Sequence, residues 1–161
     1  MFKKKIAFFV EKIKKLNGDP HYVAFGMAIG VFVSITPTIP FHTILAVTLA
    51  ILLKASKPAA LIGVWVSNPF TVVFLYLASY KVGHFFFGNS MQALKSIEVL
   101  IHHLETDIDF SQKIIYFTEF IKTKIKTFMI MTAGGALIGL PSGLVAYFIT
   151  RNFFAKLRRK N

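Results

Sequence analysis

The chain of 161 residues has room for one domain, is 55% hydrophobic with 18 Phe, and carries a formal net charge of +12. Its mean hydropathy is +0.61, whereas soluble domains run about 45–50% apolar even with Gly counted, so too little polar surface remains to cover a soluble globule of this size. The absence of Cys excludes disulfides, thiolate chemistry and Cys-based metal sites.

The high positive charge raises a nucleic-acid partner, but its distribution argues against one. Six lysines lie in the first 15 residues and five basic residues in Arg151–Lys160, and no acidic residue falls between Pro20 and Ile97. Basic ends around apolar spans are what anionic lipid headgroups and the positive-inside rule select. A nucleic-acid binder would leave the apolar middle unexplained.

In chain order, residues 1–20 come first. Phe2, Ile6, Phe9, Ile13 and Leu16 form one stripe of a basic amphipathic helix, expected in the headgroup region. Glu11, Lys12, Lys14 and Lys15 interrupt any signal-peptide core and no small-residue cleavage site follows. The apolar spans are therefore expected to be retained.

From residue 21 to 53 the chain is apolar except around Pro37 and Pro40. Each proline removes a backbone donor and obstructs the preceding turn, and Thr36 and Ile39 are pushed out of the helical region. The spacing predicts two short helices, Tyr22–Ile35 and Phe41–Leu53, folded as a hairpin. Each would be about 20 Å long, short for a bilayer core of about 30 Å.

Residues 54–58 form a polar connector. The next apolar segment, 59–88, is broken at Ser67-Asn68-Pro69. Proline suits the first helical position and Asn or Ser before it caps the orphan amides. Pro69 is therefore expected to start a helix running to about Phe87, after a separate short helix over Ala59–Val66.

Residues 89–126 hold all five acidic residues after Asp19, balanced by five lysines. Two amphipathic helices are expected, near 90–104 and 110–126, the second capped by Asp109 and striped by Phe110, Ile114, Phe117, Ile121, Ile125 and Phe128. Residues 127–150 form a span long enough to cross, with Gly135, Gly139 and Gly143 at four-residue spacing and a kink expected at Pro141. Gly26 and Gly30 repeat that spacing. These two faces are expected to meet within the chain or to form a homo-oligomer seam. A basic tail, 151–161, follows.

Net charges of +4 over residues 1–20, +2 over 54–57, zero over 88–126 and +5 over 151–161 select a topology. Both termini and the connector are cytoplasmic, with 89–126 outside, only if 21–53 enters and returns to the same side. The fold expected is all-α: an integral membrane helical bundle of proline-broken, re-entrant hairpin helices with peripheral amphipathic helices.

Gly26-x3-Gly30-x-Phe32-x4-Pro37, Ala46-x3-Ala50, Ala59-Ala60, Trp65-x2-Asn68-Pro69-x-Thr71 and Tyr80-x2-Gly83 together resemble a bacterial membrane family called domain of unknown function 2062. The resemblance covers roughly residues 20–150 and is most specific over residues 63–71. Members often carry Gly with Gln or Thr after the first proline, where this chain has Pro40, Phe41, His42 and Thr43. The resemblance implies a small helical protein of the bacterial inner membrane, sometimes appended to glycosyltransferase-like domains. It supplies no activity.

Neither a phosphate-cradling loop nor a serine-nucleophile signature occurs. The adjacent His102 and His103 point to different helix faces, a poor metal pair. No enzyme activity, metal or cofactor is expected. Polar residues at the two breaks carry the functional expectation: Thr36, Thr38, His42, Thr43, Ser67, Asn68 and Thr71 could line one substrate site near the midplane, with Pro37, Pro40, Pro69 and the five spaced glycines as structural elements. Capped breaks that bind nothing would use the same residues. Trp65 is expected in the core or as an interfacial anchor, and Lys81 with His84 at the headgroups. Transport or permeation of a small solute, ion or lipid is expected. The alternative is a non-transporting accessory module for an envelope or lipid enzyme.

Overall fold

A computed structural model of the chain describes residues 19–38, 41–68, 71–87, 102 and 109–158. The expected helices over 1–16 and near 90–104, Pro40 and Pro69 themselves, and residues 159–161 lie outside the described residues. Among the described residues the protein is all-α, with six helices and no strand.

The first helix, α1, spans Pro20–Ile35; Asp19 caps it by accepting from the His21 amide at 2.9 Å, and Pro20 occupies its first turn. It stops where Pro37 forces the preceding residue out of the helix: Thr36 has φ −75° and ψ 147°. The chain turns and returns as α2, His42–Leu52. Lys54, the one non-glycine residue at positive φ (51°) among those described, ends it. The Ser56 amide then donates to the Tyr22 carbonyl at 3.2 Å, so the hairpin closes on the end where it began. The prolines anticipated the turn between the two helices.

Ser56 also caps α3, Lys57–Val64. After the second break comes α4, Val72–Phe87. Asp109 caps α5, Phe110–Thr123, as expected; Phe117 and Phe120 bury this helix in a cluster with Val72, Tyr76, Tyr80 and Met131.

The last helix continues through residue 150, where the basic tail was expected to begin. It is one helix, α6, Ile125–Arg158, of 34 residues, about 50 Å long. It is helical on both sides of Pro141. Nothing after Thr150 breaks it: Ala155, Lys156, Leu157 and Arg158 are strong helix formers, and cations suit a helix C-terminus. It is the one helix among the described residues long and apolar enough to cross a membrane, with a mean hydropathy of 1.7 over 18 residues.

Helix α1 is packed on two sides. On one, Gly26 and Gly30 lie against Ser56, Ala60 and Gly63 of the α3 segment; a Cβ on Gly26 would overlap the Ser56 carbonyl, and one on Gly30 the Ala60 carbonyl. On the other, α6 runs antiparallel: Gly135 sits by Ile35 and Thr36, Gly139 by Phe32, and Gly143 by Ala28. The expectation that the two glycine faces meet each other is therefore corrected. Each faces a different neighbour, because α1 lies between α3 and α6. A further crossing joins α4 to α6, where a Cβ on Gly83 would overlap the Ile130 carbonyl and one on Gly134 the Ser79 carbonyl.

These crossings give the molecule two distinct ends. Phe154 packs with Val23, Met27 and Ala59, and His21 Nδ1 bonds Tyr147 Oη at 2.6 Å, so Lys54, Lys57, Arg151, Lys156 and Arg158 gather at one end. Helix α5 and the start of α6 occupy the other.

Candidate functional site

Both breaks are closed by hydroxyl groups that donate to backbone carbonyls. In an uninterrupted helix the Val33 carbonyl would accept from residue 37, but Pro37 has no N–H. Thr36 Oγ1 donates to Val33 O at 2.8 Å instead, joined by Thr38 Oγ1 at 3.4 Å. The Thr36 carbonyl, whose helical partner would be Pro40, accepts from the Thr38 amide at 2.8 Å. Pro37 and Thr36 are buried. Thr36 and Thr38 are thus engaged in closing the hairpin tip.

The second break has a reciprocal cap. Asn68 Oδ1 accepts from the Thr71 amide at 3.1 Å, while the Asn68 amide donates to Thr71 Oγ1 at 2.9 Å. This is a capping box with Thr in the place usually held by Glu or Gln. Thr71 Oγ1 in turn donates to Val66 O at 2.6 Å, and the Val72 amide to Asn68 O at 2.9 Å. The physics expected of Asn before a proline is present in the helix start at Asn68. The Thr71 and Val72 amides, however, are taken by Asn68 itself.

The remaining four candidate residues come together. His42, Thr43, Ser67 and Asn68, with Val64 and Trp65, line a concavity of about 260 Å³ between the start of α2 and the second break. Ser67 Oγ donates to Val64 O at 3.1 Å, leaving its lone pairs free to accept. His42 Nδ1 is buried and finds no hydrogen-bond partner among the described residues. Trp65 is 56% exposed: it forms a wall of this concavity and is not core. On the other side of α2, Pro37, Thr38, Phe41, Phe117 and Phe128 help line an apolar groove of about 280 Å³.

Of the seven candidates, four share one concavity and three close the breaks that frame it. Sequence reasoning did not single out Ser79, whose buried hydroxyl donates to the Ile35 carbonyl at 3.3 Å and ties the hairpin tip to α4. No periodic pattern marks such a residue. Elsewhere, Lys81 is exposed and His84 half-buried, its ring tilted on Tyr80 at 5.7 Å.

Two proline-broken helical segments held together by glycine crossings define the architecture. The chain belongs to the DUF2062 family, uncharacterized proteins conserved in bacteria, whose family model matches residues 3–161. No curated protein and no solved structure matches it.

Proposed function

We propose that the chain is an integral membrane bundle of the bacterial inner membrane, with 21–53 as a re-entrant hairpin. The concavity between the breaks serves transport or permeation of a small solute, ion or lipid. The reading assigns it no chemical reaction, and its partners are lipids, not nucleic acid.

The carrying observation is that this concavity lies across α1 from α6, at the level of its uncharged part. No charge occurs between Lys126 and Arg151, a rise of about 36 Å against a hydrocarbon core of about 30 Å. Over that stretch Leu137, Leu140, Leu144, Val145, Phe148 and Ile149 are all exposed, an apolar face that lipid would cover. The hairpin tip meets α6 at Gly135, about 24 Å along the helix from Arg151 and about 14 Å from Lys126. The tip so turns back before the far charge. Gly63, two residues before Trp65, crosses α1 between the levels of Gly139 and Gly143, which supports a concavity near mid-depth. Two helix breaks apposed there are how many transporters hold substrate. The basic end faces the cytoplasm and anionic headgroups by the positive-inside rule.

The accessory-module reading keeps one specific support: Asn68 and Thr71 satisfy each other, as a purely structural break would. Single cysteines at Thr43 and Ser67 of this Cys-free chain separate the two. Transport requires that both react with a water-soluble thiol reagent from at least one side of the membrane. Protection of both from both sides favours the accessory module and contradicts transport.

A further inference from the structure

We infer that the concavity takes the uncharged, hydroxyl-bearing head of a membrane-dissolved lipid, of which diacylglycerol is the simplest example. The inference rests on the mid-depth site proposed above and names its ligand class.

The lining of His42, Thr43, Val64, Trp65, Ser67 and Asn68 contains no carboxylate, ammonium or guanidinium, and no acidic residue occurs anywhere between Pro20 and Ile97. Among the described residues of the lining, a cation would meet no opposite charge and a phosphate no lysine or arginine. Unpaired charge in a low-dielectric site is strongly disfavoured. A neutral polar group avoids that penalty and still needs hydrogen-bond partners. The wall offers them: lone pairs on Ser67 Oγ, whose proton is committed to Val64 O, and the Thr43 hydroxyl.

Thr43, Trp65 and Asn68 are exposed, and beside them Leu61 and Val66 are exposed as well. The concavity thus opens sideways onto an apolar surface. An amphiphile can reach it from within the bilayer, its head in the concavity and its chain along Leu61, Trp65 and Val66. The volume of about 260 Å³ suits a glycerol-sized head, at about 30 Å³ for each water equivalent.

Trp65 is the single tryptophan of the chain and a wall of the site, so its fluorescence reports occupancy. The full chain is placed in nanodiscs of zwitterionic phospholipid containing small mole fractions of a chain-brominated lipid, either diacylglycerol or phosphatidate with the same chains. Brominated diacylglycerol is expected to reach half-quenching at a mole fraction about fivefold lower than phosphatidate, the ratio of one net hydrogen bond. The double variant Thr43→Val, Ser67→Ala is expected to abolish that preference with helicity by circular dichroism unchanged. Equal quenching by the two lipids, or a preference that survives in the double variant, overturns the inference while leaving the mid-depth site standing. Relief of the quenching by millimolar glycerol overturns the lipid assignment in favour of a soluble polyol. If a fully brominated host phospholipid fails to quench Trp65, the site does not face hydrocarbon and the lipid assignment falls; protection of cysteines at Thr43 and Ser67 from both sides is the separate result that removes the transport reading.

Discussion

Gly30 and Gly63 meet backbone to backbone: a Cβ on Gly63 would lie 2.9 Å from the Gly30 Cα and 2.6 Å from the Met27 carbonyl. This crossing sets how closely the short helix α3 approaches α1, and so where the second break stands relative to the first. In lipid, helices have no apolar surface to hide from one another, so close approach through small residues is a main source of association.

Gly30→Ala is therefore expected to force the helices apart, because its methyl would overlap the Ala60 carbonyl, which is backbone and cannot swing aside. A loss of about 1–3 kcal/mol is expected, as for overpacked cores. Gly143→Ala should be far milder, since only the Ala28 carbonyl, at 3.1 Å, would be tight. Thermal unfolding of the two variants in detergent checks the contrast; equal midpoints would contradict it.

Thr36 supplies the donor that Pro37 lacks, through Thr36 Oγ1 to Val33 O at 2.8 Å. Thr36→Val keeps shape and removes the hydroxyl, leaving the buried carbonyl with the longer Thr38 contact. A cost of about 1–2 kcal/mol follows from an under-satisfied buried acceptor, and Thr36→Ser should restore most of it. Denaturant titration of the pair reads this, and a Val variant as stable as Ser would refute the substitute-donor account.

The reciprocal cap predicts an order of severity at the second break. Asn68→Ala removes the acceptor for the Thr71 amide and should cost about 1 kcal/mol, while Asn68→Ser, another good cap, should cost less. Hydrogen exchange at the start of α4 is the direct readout, with faster exchange of the Thr71 amide in the Ala variant.

Asp109 sets a pH dependence for α5. The Ser111 hydroxyl, followed by the Ser111 amide, donates to its carboxylate and holds its pKa below the usual value. A depressed carboxylate stabilises the fold fully above its unfolded pKa and loses that contribution as pH falls through the lower folded value. Amides at the start of α5 should thus exchange faster on acidification below about pH 4, and Asp109→Asn should flatten that response.

The helical hairpin, the cap at Asn68 and the cap at Asp109 were legible in the sequence because each rests on local chemistry: a proline without a donor, an acceptor side chain before a helix. The partner of each glycine face was not. Gly26 and Gly30 show only that something approaches closely; that α3 fills one side of α1 and α6 the other is decided by the fold around them. The site divided in the same way. Hydroxyls beside a proline can line a cavity or replace its missing donor, and only the geometry assigns Thr36, Thr38 and Thr71 to closure, and His42, Thr43, Ser67 and Asn68 to the concavity. Helix α6 continues past Thr150 because charge marks the limit of a membrane span, which is not the limit of a helix.

The central claim is that residues 21–53 enter and leave on one side of a membrane. Single cysteines at Lys57, Lys156 and Ser111 test it with a membrane-impermeant thiol reagent applied to intact cells and to inverted vesicles. The account predicts that Lys57→Cys and Lys156→Cys label only in inverted vesicles and Ser111→Cys only in intact cells. Labelling of positions 57 and 156 from opposite sides would contradict it.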